Sequence, residues 1–254
     1  MAKREASGSE QGAALLKAVE RIVDSPAKIR AHVEAAAEKI RVSLPDDATE
    51  VQVRSALERD LVSHYSNRTA IAGGAAALPG LIPGLGSLAA VLGGGLLDMT
   101  ACLKFEVEMV LALAASRGYD IEDPRERQLA YLLAAAHTYE ASGGLNPLPD
   151  LIKTEIDAIW HYTPRQLGKL VAALFVKLAI LFAGKSLTRA IPFIGIVVSS
   201  ATNKTLTSRV GKSVIKALDG RASARAAASP KPAAKPKAHA KAKKAPARKK
   251  KPAA

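Results

Sequence analysis

Over the first 66 residues apolar side chains recur at three- and four-residue spacing, which predicts amphipathic helices at 11–24, 27–42 and 47–66. In the second of these, Ile29, Val33, Ala36, Ile40 and Leu44 share one face, while Lys, Arg and Glu fill the other. Pro26 suits the first turn of that helix, and Pro45 with Asp46 and Asp47 stops it and restarts the chain. Helices of this kind need a partner surface for their apolar stripe.

The pattern then changes. From Thr69 to Leu97 there are 29 positions without a charge, more than the roughly 20 apolar residues a helix needs to cross a bilayer. Eight glycines, Pro79 and Pro83 fall in the same stretch, so it reads as two short apolar segments broken near PGLIPGLG. Such a hairpin can pack inside the protein through its small residues, dip into one leaflet, or span a membrane beside other helices. The side chains at its turn, Leu78, Pro79, Leu81, Ile82, Pro83 and Leu85, are the candidate membrane contacts.

Helical periodicity resumes over 98–116, with Gly118 placed as a C-cap, and continues over 125–141, 148–162, 164–183 and 194–218, with Pro164 marking a start. After Gly220 the chain turns to Ala, Lys and Pro, with five prolines and no other apolar side chain larger than alanine. Such a segment cannot bury a core and is expected to be disordered. The fold class is therefore all-α: a multi-helix bundle with a Gly/Pro-rich apolar helical hairpin and a disordered basic C-terminal tail. Its expected parts are 1–66, 67–220 and 221–254.

Composition supports helices, because aromatic residues are only 4% and Ala, Leu, Val and Gly must supply the core. The net charge of +14 is unevenly placed: residues 221–254 hold 12 Lys or Arg and no acid, leaving 25 basic against 23 acidic residues in the body. The cations Lys231, Lys235, Lys237, Lys241, Lys243, Lys244, Arg248, Lys249, Lys250 and Lys251 can bind polyanions by releasing counterions, without reading a base sequence. Anionic lipid is one candidate partner, and DNA or RNA is the other. With Cys102 the sole cysteine, no intramolecular disulfide can form, and a cytoplasmic location is allowed. The polar N-terminal stretch lacks the apolar core of a secretory signal.

Several motifs invite chemistry and are discounted. AILFAGKS fits a loose phosphate-loop pattern, but its loop positions are bulky and follow a helical run. Gly84, Gly86 and Ala89 imitate a dinucleotide fingerprint with no strand before them. His137 with Glu140, and Asp157 with His161, can share helix faces but match no metal-ligand signature. Asp98, Glu106 and Glu108 read as positions where the apolar chain returns to water, and Cys102 as a small core residue. No catalytic residue, metal or cofactor is expected.

From about Tyr65 to Leu218 the order of features resembles the EcsC family of bacterial proteins. The residues that carry the likeness are the apolar stretch ending at Asp98, then Gly118, Tyr119 and Asp120, and the block RAIPFIGIVVSSATNKTLTSRVGK with Arg189, Pro192, Gly195, Asn203 and Thr205. The spacing departs in one place, where Asp98 follows Gly93, Gly94 and Gly95 instead of sitting close behind a proline. The resemblance implies a helical, membrane-associated protein with no catalytic role to transfer. The resulting expectation is a non-enzymatic protein at the inner face of the cell membrane, binding lipid through the hairpin with help from the tail. The alternative is a nucleic-acid-binding or nucleoid-tethering protein acting through its histone-like tail.

Overall fold

The computed structural model describes residues 2–75, 94–143, 159–185 and 194–228, which form seven α-helices with no strand among the described residues. They are α1 (Ala2–Ile22), α2 (Pro26–Ser43), α3 (Glu50–Ala75), α4 (Gly94–Ser116), α5 (Pro124–Ala141), α6 (Pro164–Lys185) and α7 (Ile194–Ala228).

Local chemistry sets several of the ends. Ser25 Oγ accepts from the Lys28 backbone N–H and Pro26 opens α2, while Asp123 accepts from Arg125 N–H and Pro124 opens α5. α4 closes with Gly118 in the left-handed region, φ +78°. There Gly118 N–H donates to Ala115 O and Tyr119 N–H to Ala114 O, satisfying carbonyls that a helix end leaves open. Glycine takes this conformation without the Cβ penalty, as the sequence led one to expect.

α4 is the axis of the bundle. Every residue from Met99 to Ala114 is buried, and α4 touches all six other helices. A helix enclosed on every side has no polar stripe, which is why its sequence lacks amphipathic periodicity. α1 lies so close to α6 that a Cβ on Gly12 would sit 2.6 Å from Val176 Cα, and α7 approaches α3 where Gly211 faces Val62.

Side-chain pairs give the directions. Glu58 meets Arg117 and Arg68 lies over Phe105, so α3 and α4 run antiparallel. Thr207 meets Glu106 and Asp219 meets Arg117, so α7 runs parallel to α4. Thr138 also meets Glu106, which makes α5 antiparallel to α4. Arg125 donates to Tyr162 O and Gly168 lies near Gln128, so α6 starts beside the start of α5. The last turn of α3, the first of α4, the last of α6 and the first of α7 therefore share one end of the bundle, here the Gly94 end. Arg117, Asp219 and the start of α6 mark the opposite, Arg117 end.

Four sequence expectations change. The helix expected to stop at residue 66 continues to Ala75, so residues 66 and 67 lie within one helix, and α1 to α3 share a single core with α4 to α7. The uncharged run begins inside α3 and ends inside α4. α7 extends eight residues past Gly220 to Ala228, so residues 221–228 belong to the helical body. Glu106 and Glu108 are only 2% and 1% exposed and do not mark a return to water. Among the described residues no helix is long and apolar enough to cross a membrane. The turn at 78–85, most of the helix expected over 148–162, and the tail cations from Lys231 onward lie outside the described residues.

Candidate functional site

α4 carries three ionisable side chains into the core, and each meets a partner from outside α4. Lys104 pairs with Glu108 one turn later and lies 3.8 Å from Asp24, at the end of α1. Glu108 also accepts from the Asp24 backbone N–H at 2.8 Å. Burial raises the Glu108 pKa, and the Lys104 ammonium opposes that rise. Glu106 points between α5 and α7, where the Thr138 hydroxyl meets Oε2 and the Thr207 hydroxyl donates to Oε1 at 3.1 Å. Burial pushes its pKa up to about 7.

The polar layer around Glu106 extends toward the Gly94 end. Ser66, Thr69, Thr100 and Asn203 are buried there, with Thr69 donating to Tyr65 O. Ser66 Oγ and Asn203 Nδ2 have no hydrogen-bond partner among the described residues. Two of the four large hydrophobics that stand exposed among the described residues, Ile71 at 61% and Ile180 at 52%, lie near this end on α3 and α6. The other two, Val42 and Val51, flank the link between α2 and α3.

A second polar cluster lies on the outer face of α2 and α3. The His32 and His64 rings stand 4.3 Å apart at 37°, and Tyr65 meets both edge-on. They border a cleft of about 390 Å³ with Lys39, Asp60, Ser63 and Asn67. Partial burial lowers both imidazole pKa values, His64 to about 4, with Arg68 adding to the effect and Asp60 opposing it. Both rings are therefore neutral near pH 7. No helix-face pattern links these histidines, and the only cue in the sequence was the short 44–49 link that folds α2 back on α3.

At the Arg117 end, Arg221 sets its guanidinium over the rings of Tyr119 at 3.9 Å and Trp160 at 4.7 Å. Its fork is bidentate to Glu126, whose side chain is 10% exposed. Arg117 joins Glu58 to Asp219 beside it.

The residues singled out in sequence divide among these places. Gly118 caps α4, Tyr119 is a platform for Arg221, and the exposed Asp120 accepts from Glu122 N–H and lies 3.5 Å from Arg30. These three have structural tasks at the Arg117 end. Asn203 is buried toward the other end, and Thr205 is exposed with its hydroxyl on Ala201 O. Asp98 and Gly195 lie within α4 and α7, while Arg189 and Pro192 fall outside the described residues. Among the described residues, those of the motif therefore do not come together in one site. His137 and Glu140 approach to 3.7 Å, and Cys102 is buried in α4. Among the described residues no group of three or more His, Cys, Asp or Glu could hold a metal ion.

No protein-family model, curated protein or solved structure matches this chain.

Proposed function

We propose that the chain is a non-enzymatic, EcsC-type membrane-associated protein at the inner face of the cell membrane. It attaches to lipid through the uncharged segment between α3 and α4, and its polybasic tail adds attraction to anionic surfaces. The observation that supports this most is the antiparallel pairing of α3 with α4. Both ends of the 29-residue uncharged run leave the same end of the bundle, near the exposed Ile71 and Ile180. A run held that way can meet a surface while the buried body stays intact. Basic residues near an anionic bilayer contribute about 1 kcal/mol each, so a few of the ten cations beyond Ala228 would suffice.

A second reading has its own observation. Ala228 lies beyond Asp219 and Arg221, toward the Arg117 end, so the tail starts far from the uncharged run. That placement suits a tail that engages nucleic acid away from the membrane. The tail can also reach a surface at the other end, since 26 extended residues span roughly 85 Å and α4 is roughly 35 Å long.

Vesicle flotation of the full chain tests both. Under the lipid reading the protein floats with neutral and anionic vesicles at high salt, and Ile82→Asp with Leu85→Asp abolishes this. Replacing the ten tail cations with Gln should then lower flotation only on anionic vesicles at low salt. If the full chain floats with neither vesicle while its tail retards duplex DNA, the lipid reading fails and the second stands.

A further inference from the structure

Hydrogen counting around Glu106 leads to a site that the lipid reading does not use. Thr138 Oγ1 lies against Glu106 Oε2 and also 2.6 Å from Ala134 O, in its own helix. A threonine hydroxyl carries one hydrogen, and a peptide carbonyl can only accept. The chain of oxygens Glu106 Oε2, Thr138 Oγ1, Ala134 O has two links and needs two hydrogens. Thr138 supplies one of them. An ionised carboxylate supplies none, and would leave one buried acceptor facing another.

We propose that Glu106 is a proton-binding site in the core, held as the neutral acid by the folded bundle and coupling pH to the packing of α4 against α5 and α7. The acid donates to Thr138, Thr138 donates to Ala134 O, and Thr207 donates to Oε1, so every polar atom in the chain is matched. The raised pKa agrees with this count.

The surroundings fit a proton as the ligand. Burial leaves Glu106 2% exposed, and a cleft of about 350 Å³ between α5 and α7 is lined by His137, Glu140, Arg209 and Lys212. That cleft lies on the same two helices as Thr138 and Thr207. Other charges on the packed helices are engaged elsewhere. Lys104 pairs with Glu108 and with Asp24 in the α1–α2 link, Arg68 of α3 lies over Phe105, and His137 faces Glu140. Lys177 of α6 has interactions of its own.

The folded state holds this proton more tightly than the unfolded chain, so the stabilisation is full below about pH 4.5 and is lost as pH rises through about 7. Above that, charge sits between three helices with no counter-ion among the described residues.

Glu106→Gln reproduces the neutral acid, since its amide can donate to Thr138 and accept from Thr207. The test is infrared difference spectroscopy and urea unfolding of the full chain and of E106Q at about pH 5 and about pH 9. The wild type should show a protonated-carboxyl C=O band at the lower pH that disappears at the higher, and E106Q should lack it. The wild-type unfolding constant divided by that of E106Q should rise about tenfold per pH unit between about pH 5 and 7, then level off. The proposal is overturned if no such band distinguishes the two proteins at about pH 5, if E106Q fails to fold, or if the ratio is flat with pH. Flotation plays no part in these readouts, so this result and the lipid reading stand or fall separately.

Discussion

Arg221 stands where composition turns basic, and replacing it asks whether it belongs to the body or to a solvated tail. In Arg221→Ala the bidentate pair with Glu126 is lost, leaving a carboxylate whose side chain is 10% exposed without its counter-charge. Breaking a buried pair costs about 3–5 kcal/mol, and the remaining exposure argues for the lower end. Loss of the cation from the Tyr119 and Trp160 faces adds about 0.5–1 kcal/mol each, while water reaching Glu126 returns part of the cost. The net expectation is about 3 kcal/mol, or about 6–12 °C in Tm for a chain of this size. Thermal unfolding followed by circular dichroism measures it, and Trp160, the sole tryptophan, reports the site by fluorescence. Arg221→Lys should fall between, because an ammonium keeps the charge but not the fork. Arg221→Ala combined with Glu126→Ala should cost less than the two single changes together. If Arg221→Ala melts within about 1 °C of wild type, the clasp carries no stability and the boundary at residue 220 returns.

The other expectations are shorter. Lys104→Met leaves Glu108 buried beside Asp24 and should cost about 3–5 kcal/mol in urea unfolding, whereas Lys104→Met with Glu108→Leu should cost much less. Gly12→Ala drives a Cβ into the Val176 backbone and should cost about 1–3 kcal/mol, while Gly220→Ala meets nothing within 4 Å and should gain about 0.5–1 kcal/mol from helix propensity. His32 and His64 are held neutral, so the unfolded chain binds more protons and stability should fall as pH drops from about 6.5 toward about 4. His32→Phe with His64→Phe should remove that part of the acid sensitivity, as read from unfolding midpoints across a pH series.

Much of the helix layout was legible because its punctuation is local. Pro26, Pro164 and Gly118 mark ends by their own backbone preferences, and the buried Ile29, Val33 and Ala36 declare the inward face of α2. What could not be read depended on partners far along the chain. Glu106 and Glu108 looked like a return to water because their partners, the Asp24 backbone N–H, Thr138 and Thr207, lie far along the chain, in the α1–α2 link, α5 and α7. The end of α7 was placed too early for the same reason. Ala and Arg are good helix formers, and Arg221 is fixed by Glu126, 95 residues away. Residues 118–120 stood out in the sequence as part of a family likeness, and in the fold they supply a helix cap, a ring platform and a turn.

The central claim is that the segment between α3 and α4 meets lipid, and one site-specific probe tests it directly. In a full chain carrying Cys102→Ser and Ile82→Cys, an environment-sensitive fluorophore at position 82 should shift to the blue on adding anionic vesicles. Nitroxides on the lipid acyl chains should quench it, and both effects should persist at high salt. Emission unchanged by vesicles, from a protein whose circular dichroism matches wild type, would contradict the claim.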